Sequence, residues 1–567
     1  MIKTYVVSVT LPARKQHRGL RPTELGKKYV SPIRSKTNIN NVVSEVFKII
    51  PLVLIDVKNG CLCDDLGRSH TFESEVQFKE LVSSMTEGLD NRRIQRVVEE
   101  YFQYVALSHV WKGNEPSFQD VHRVGSVWKL ASSPPNEKLR KFCEVVARDG
   151  YRWAWSDTCC IDKTINTVLN QSLKMMYRWY EASAATFVHF ADVASPSTLG
   201  ELTGSLWMTR AWTSQELLAP KVIRFYTCDW QPYLGDNRSN HKESPEIMQE
   251  LADAIKIART TIISFNPDDL SNREKLRLAS GRNARREEDV AYSLIGMFKS
   301  DIRPDYGEGY AAQGHLLEEI VARSGDVTVL AWTGQSSPYN SCLPVTLAAY
   351  SQPPGTFSAI EDSHMDACVA ALKAQPAQTD VIPFHDRVIS LPPARFGNRR
   401  LHLPCVIFAV KRLAIQDFVH GHEYWYRARV LGIGHVEFRT SDRLPPIDPR
   451  KLIFVHPWLR DLRDPPDGFT WGSTVGGDDD SSDSGLESEQ ASPTSPLHVV
   501  PPATMDDHTR ALRLVARLQQ PFHALLLQQQ STGDFKRVAT EHDIVIPGIE
   551  RQINFTRDVG TGVVEIL

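Results

Sequence analysis

Tyr104-Val105-Ala106-Leu107-Ser108-His109-Val110-Trp111 is the stretch whose reading decides the fold class. It is an apolar strand that ends in polar and aromatic groups and is broken at once by Lys112-Gly113-Asn114. Leu139, Phe142, Cys143 and Val146 then recur at i, i+3, i+4 and i+7, one stripe of an amphipathic helix closed by Asp149-Gly150. A second strand, Arg152-Trp153-Ala154-Trp155-Ser156-Asp157, runs into Cys159-Cys160-Ile161-Asp162. Leu169, Leu173, Met176, Tyr177 and Tyr180 mark a second helix, and residues 185–190 a third strand. An element over 207–218 and an apolar strand at 222–226 complete the series. Strands alternating with helices long enough to cross a sheet predict an α/β domain with a mostly parallel sheet flanked by helices. Ligands of such sheets sit at the carboxyl ends of the strands, which is where Ser108, His109, Trp111 and Asp157 fall.

The element at 207–218 lies in Ser205-Leu206-Trp207-Met208-Thr209-Arg210-Ala211-Trp212-Thr213-Ser214-Gln215-Glu216-Leu217-Leu218-Ala219-Pro220. At helical spacing Trp212 and Glu216 lie one turn apart on one face, and Arg210 and Ser214 on another. An aromatic plate beside a carboxylate suits a ring held next to a developing positive charge. The plainer alternative is a tryptophan anchoring a helix to its sheet, with Glu216 and Arg210 as surface or ion-paired groups.

At 567 residues the chain is long enough for two to four domains. A net charge of −3 supplies no overall field for nucleic acid or an anionic membrane, and no basic, aromatic-interleaved face is legible, so no nucleic-acid partner is expected. No run approaches the roughly 18 apolar residues of a membrane span. Nine scattered cysteines and no signal-type amino terminus point to a reducing, cytoplasmic setting. Cys61 and Cys63 lack a second pair at ligand spacing, so no metal site is expected. Cys159 and Cys160 read as core thiols.

In order, residues 1–48 read as a flexible basic leader, 49–100 as a preface, 101–235 as the α/β domain and 236–334 as a helical extension. Residues 335–471 and 508–567 read as two parts of a β-rich region, expected to pair across an acidic, Ser- and Pro-rich loop at 472–507. In the extension, 289–297 reads as a helix and Tyr306-Gly307-Glu308-Gly309 as a tight turn before a helix at 311–323.

Three blocks, YVALSHVWKG at 104–113, WAWSDTCCIDK with MMYRWYEASAATFVHFADV within 153–193, and WMTRAWTSQE at 207–216, resemble the fungal heterokaryon incompatibility (HET) domain. His109, Lys112 and Lys163 depart from its usual pattern. The resemblance implies a TIR-like (flavodoxin-like) fold and a role in non-self recognition and programmed cell death. Some TIR domains cleave NAD with one glutamate a few residues after a tryptophan, so Glu216 is the implied catalytic residue. Ser108, Trp111, Asp157, Arg210 and Trp212 would line the pocket, with NAD as substrate and no resident cofactor. The alternative is a non-enzymatic signalling module that associates with itself or a protein partner.

Overall fold

The computed structural model describes residues 30–85, 90–352, 362–374, 381–419, 423–441, 443–444, 446, 448–458, 506–550 and 558–567. The expected leader as far as residue 29 and the acidic loop through residue 505 lie outside the described residues. The chain forms two compact units. The first takes residues up to Leu107 with Gly113–Asp162 and Ala182–Ala184, and the second takes Ser108–Lys112, Lys163–Glu181 and Ala185–Leu567.

In the first unit, helix α1 (Pro32–Phe47) starts where the Ser31 hydroxyl accepts from the Arg34 amide at 3.3 Å and Pro32 sits in the first turn. Ile39, Val43 and Val46 bury one stripe of it. The end of the expected leader is therefore helical, because its basic composition concealed apolar residues at i, i+4 and i+7. Strands β1 (Leu54–Asp56) and β2 (Cys61–Cys63) are antiparallel. Strand β3 (Tyr104–His109) is followed by helix α2 (Pro134–Arg148) and strand β4 (Trp153–Trp155). Strand β4 pairs in parallel with β3, Val105 opposite Ala154, and antiparallel with β1. Helix α2 buries Leu139, Phe142, Cys143 and Val146, the stripe read from the sequence. Burial pushes the Cys63 thiol up to about 12 and that of Cys160 well above its ordinary value, so both stay protonated.

Strand β3 carries the chain into the second unit, to which Ser108 and His109 belong. Helix α3 (Asn166–Ala182) leads to β5 (Ala185–His189), which pairs in parallel with β6 (Ile223–Tyr226). Their crossover is not one helix over 207–218. It is a 3₁₀ turn at Leu206–Thr209, an extended Arg210, and helix α4 (Thr213–Leu218). The break has a cause in hydrogen bonding: the Ala211 amide donates to the Asn283 carbonyl at 2.8 Å, and the Asn283 amide to that of Thr209 at 2.7 Å.

The extension contains helices at Pro245–Ile255 and Arg259–Ile263, helix α5 (Asn272–Ser280), two short turns at Asp289–Tyr292 and Ile295–Phe298, and helix α6 (Ala311–Ser324). The expected helix at 289–297 is thus interrupted. One core runs from Trp207, Leu217 and Phe225 through Tyr292 and Leu316 to Leu401 and Leu525 of the β-rich region. At Gly296 the extension meets α3 so closely that an added Cβ would lie 2.0 Å from the Tyr177 Cβ.

The β-rich region contains β7 (Arg395–Gly397), β8 (Arg400–Val419), β9 (Glu423–Val430), β10 (Gly434–Thr440) and β11 (Leu452–Pro457). After helix α7 (Asp507–Leu518) come β12 (Phe522–Gln529), β13 (Phe535–Arg537), β14 (Ile544–Ile546) and β15 (Gly560–Ile566). Strand β15 pairs with both β13 and β8, so β8, β11, β12, β13 and β15 close into a ring. The final strand β15 pairs with β8, and β12 with β11, whereas the strand expected at 543–547 to pair with the earlier part pairs instead with β12 of the later part. The guanidinium of buried Arg537 joins the ring to the extension. It donates to the Leu330 and Trp332 carbonyls at 2.8 and 2.7 Å and lies 3.9 Å from the Trp332 ring centre. No helix among the described residues is long and apolar enough to cross a membrane.

Gly296→Ala is expected to lower stability by about 2–3 kcal/mol, because the new methyl group must displace the Tyr177 backbone or ring. Urea unfolding of the variant beside the parent checks this.

Candidate functional site

Ser108 is the penultimate residue of β3 and is fully buried. Its hydroxyl donates to the Glu216 carboxylate and accepts the indole N–H of Trp207 at 2.7 Å. Because an indole nitrogen only donates, the single Ser108 proton is left for the carboxylate. Trp207 is itself held edge-on by Phe190 and Phe225, with ring centres 5.9 and 6.0 Å away. The end of one strand, a 3₁₀ turn and a six-residue helix thus converge on one carboxylate that is 7% exposed.

All six residues of α4 are buried, so the helix is clamped rather than solvated. The Thr213 hydroxyl donates to the carbonyls of Trp207 and Arg210 at 2.7 and 2.9 Å. From beyond α5, the Arg282 guanidinium donates to the Arg210 carbonyl at 3.0 Å and to Thr213 Oγ1 at 2.8 Å. Burial pulls Arg282 down to about 10, and the charge of Glu216 opposes that fall. At the far end, Lys242 is 2% exposed and its Nζ lies 3.5 Å from the Leu218 carbonyl, where a cation complements the helix terminus. Burial lowers Lys242 to about 8. Beside Glu216, the Gln215 side chain is 1% exposed, and its Nε2 has no hydrogen-bond partner among the described residues.

Ser108 and Glu216 are therefore brought together. Trp212 stands one turn before Glu216 at the start of α4 and is half-buried. Burial pushes the carboxyl of Asp289 upward, against hydrogen bonds from Tyr306 and Trp212. Arg210 is half-buried, and among the described residues its guanidinium makes no ion pair, so it is not the partner of Glu216. Trp111 is 44% exposed and one ring face carries the Lys163 ammonium, 3.8 Å from the centre. Asp157 belongs to the first unit, on the turn after β4, where the Ser156 and Thr158 hydroxyls are 2.9 Å apart.

Sequence reasoning missed Trp207, Thr213, Gln215, Arg282 and Lys242. Trp207, Thr213 and Gln215 lay in the quoted stretch, whereas nothing in the spacing linked positions 242 and 282 to it. The turn at Gly307 and Gly309 also acquires a role: their φ values are 113° and 56°, and their amides donate to Glu288 Oε1 at 2.8 and 3.2 Å. The nest of amides thus holds the chain's own carboxylate. No group of three or more metal-ligating side chains is present among the described residues.

Residues 104–202 match the family model described as heterokaryon incompatibility protein (HET). The chain is also similar to the vegetative incompatibility protein HET-E-1 of Podospora anserina, 32% identical over 230 residues. That match covers 39% of this chain and only 16% of the relative. No solved structure matches.

Arg282→Met is expected to cost about 3 kcal/mol in urea unfolding, because two acceptors lose a charged donor. Arg282→Lys should cost less. A second expectation concerns alkaline stability. Lys242 has a folded value of about 8 against an ordinary 10.5, so between these values the unfolded chain binds the extra proton and the fold gains stability as pH rises. Measured against Lys242→Met, the parent should gain about 2 kcal/mol between roughly pH 7 and 10. A pH-independent difference would contradict this.

Proposed function

We propose that this chain, a heterokaryon incompatibility (HET) domain protein, acts in fungal non-self recognition leading to programmed cell death, and that it does so by hydrolysing NAD at Glu216. The observation that carries the chemical part is the buried carboxylate held by Ser108, which Trp207 orients, beside Gln215, whose Nε2 has no hydrogen-bond partner among the described residues. Cleaving the nicotinamide–ribose bond develops an oxocarbenium-like centre. A desolvated, fixed carboxylate stabilises such a centre more strongly than one in water. In this reading the ring of Trp212 borders the sugar, the guanidinium of Arg210, which makes no ion pair among the described residues, meets the diphosphate, and Trp111 stacks through the face opposite Lys163. Asp157 has no assigned role.

A TIR-like arrangement is part of the same proposal. Its support is the parallel pairing of β3 with β4 and of β5 with β6, each pair joined by a crossover. A cytoplasmic setting fits the scattered free thiols. The second reading, a non-enzymatic module that signals by self-association, is favoured by one observation: Glu216 already has a hydrogen-bond donor inside the fold. Fold alone does not choose between the two.

Purified protein incubated with NAD is expected to release nicotinamide, and Glu216→Gln and Glu216→Ala to reduce turnover at least about 100-fold. Equal turnover in the three proteins removes Glu216 from the mechanism. Absence of turnover in the parent favours the module.

A further inference from the structure

Strands β8, β9 and β10 form an antiparallel meander with two unlike faces. One face packs into the second core through Val410, Tyr426, Ala428, Val436 and Phe438. On the other, the register sets Arg412 directly opposite Arg429, and Arg429 directly opposite His435. All three are exposed. A register shift between Val410 and Arg412 adds an extra residue, and Lys411 is exposed as well. One rung along stand Arg427 and Glu437, and two rungs along stand Trp425 and Arg439.

Directly opposed side chains in such a sheet start about 5 Å apart, and like charges so placed repel. Arg427 is answered by Glu437 at 3.7 Å and Arg439 by Glu423 at 3.5 Å. Among the described residues, Arg412 and Arg429 have no carboxylate partner and donate no side-chain hydrogen bond. The fold thus maintains an opposed pair of guanidiniums, flanked by an imidazole and an ammonium, and among the described residues no carboxylate is paired with either guanidinium. The same face carries the half-buried Trp425 ring, with the Arg439 guanidinium 5.7 Å from its centre.

We propose that this face binds single-stranded nucleic acid, with phosphates on Arg412, Arg429 and His435 and a base stacked on Trp425. Arg429, Arg427 and Trp425 follow one another along β9 at about 6.8 Å, a run of cations ending in a ring on one face of the sheet. An aromatic ring beside the cations serves an unstacked base, which a duplex does not offer and an acidic peptide lacks. With a net charge of only −3 over the chain, the field is local to this rung. The site is separate from Glu216, and its test does not depend on NAD cleavage.

The test measures fluorescence anisotropy of labelled oligo(dT) and oligo(rU) with the full chain between about 50 and 200 mM salt. Binding is expected for both, with log K falling against log salt at a slope of about −2 to −3, the value for three or four phosphates on a single strand. Arg412→Glu with Arg429→Glu should weaken binding more than about tenfold, and the Gln pair by less. Trp425→Ala should weaken it about tenfold and leave the slope unchanged. Melting temperatures of the exposed-site variants should match the parent. The proposal is overturned by no binding at the lower salt, by affinity unchanged in the Glu pair, or by duplex DNA or polyglutamate competing as well as the single strands.

Discussion

A hydroxyl group has one proton, and in this fold the proton of Ser108 has one place to go. The Trp207 indole donates into the oxygen, so the hydrogen must point at Glu216. That fixes three elements at once: the carboxyl end of β3, the 3₁₀ turn after β5, and α4. Aromatic packing of Trp207 between Phe190 and Phe225 sets where the indole nitrogen stands, and so where the carboxylate is held. Geometry that would belong to a long, flexible side chain becomes a property of the core.

A six-residue helix has no stability of its own, since nucleation costs more than so few hydrogen bonds return. Helix α4 exists because its surroundings hold it. Arg282 grips its start, Lys242 lies at its end, and Thr213 ties it back to the preceding turn. Both cations are buried at a cost visible in their lowered pKa values. Glu216, the helix that carries it and both cations all lie beyond residues 104–202, the segment that matches the HET family model, which holds only Ser108 of this arrangement.

Strands were legible where apolar runs met glycine or polar breaks, as at β3, β4 and β5, and α2 was legible because its stripe was regular. The apolar run at the chain's last residues announced the pairing of β15 with β8, whereas β12, the strand that pairs with β11 and with β14, was not read from the sequence. Contacts set by distant residues were not legible. The amide and carbonyl of Asn283 break the expected helix at 207–218, and no local signal at Arg210 announces it. Glu216 was singled out for the tryptophan one turn before it and for the likeness to TIR domains, yet the hydroxyl that donates to it is that of Ser108, more than a hundred residues earlier. In the β-rich region the opposed arginines arise from register and a bulge, which composition averages away.

The ring of the β-rich region closes through the pairing of β15 with β8, Gly560 opposite Ile407. On the ribosome, β8 leaves the exit tunnel long before β15 is made. Throughout that interval one edge of β8, the longest strand among the described residues, stands without its neighbour. Synthesis therefore passes through a stage open to strand capture by another chain, and the nascent protein depends on the order in which its strands arrive.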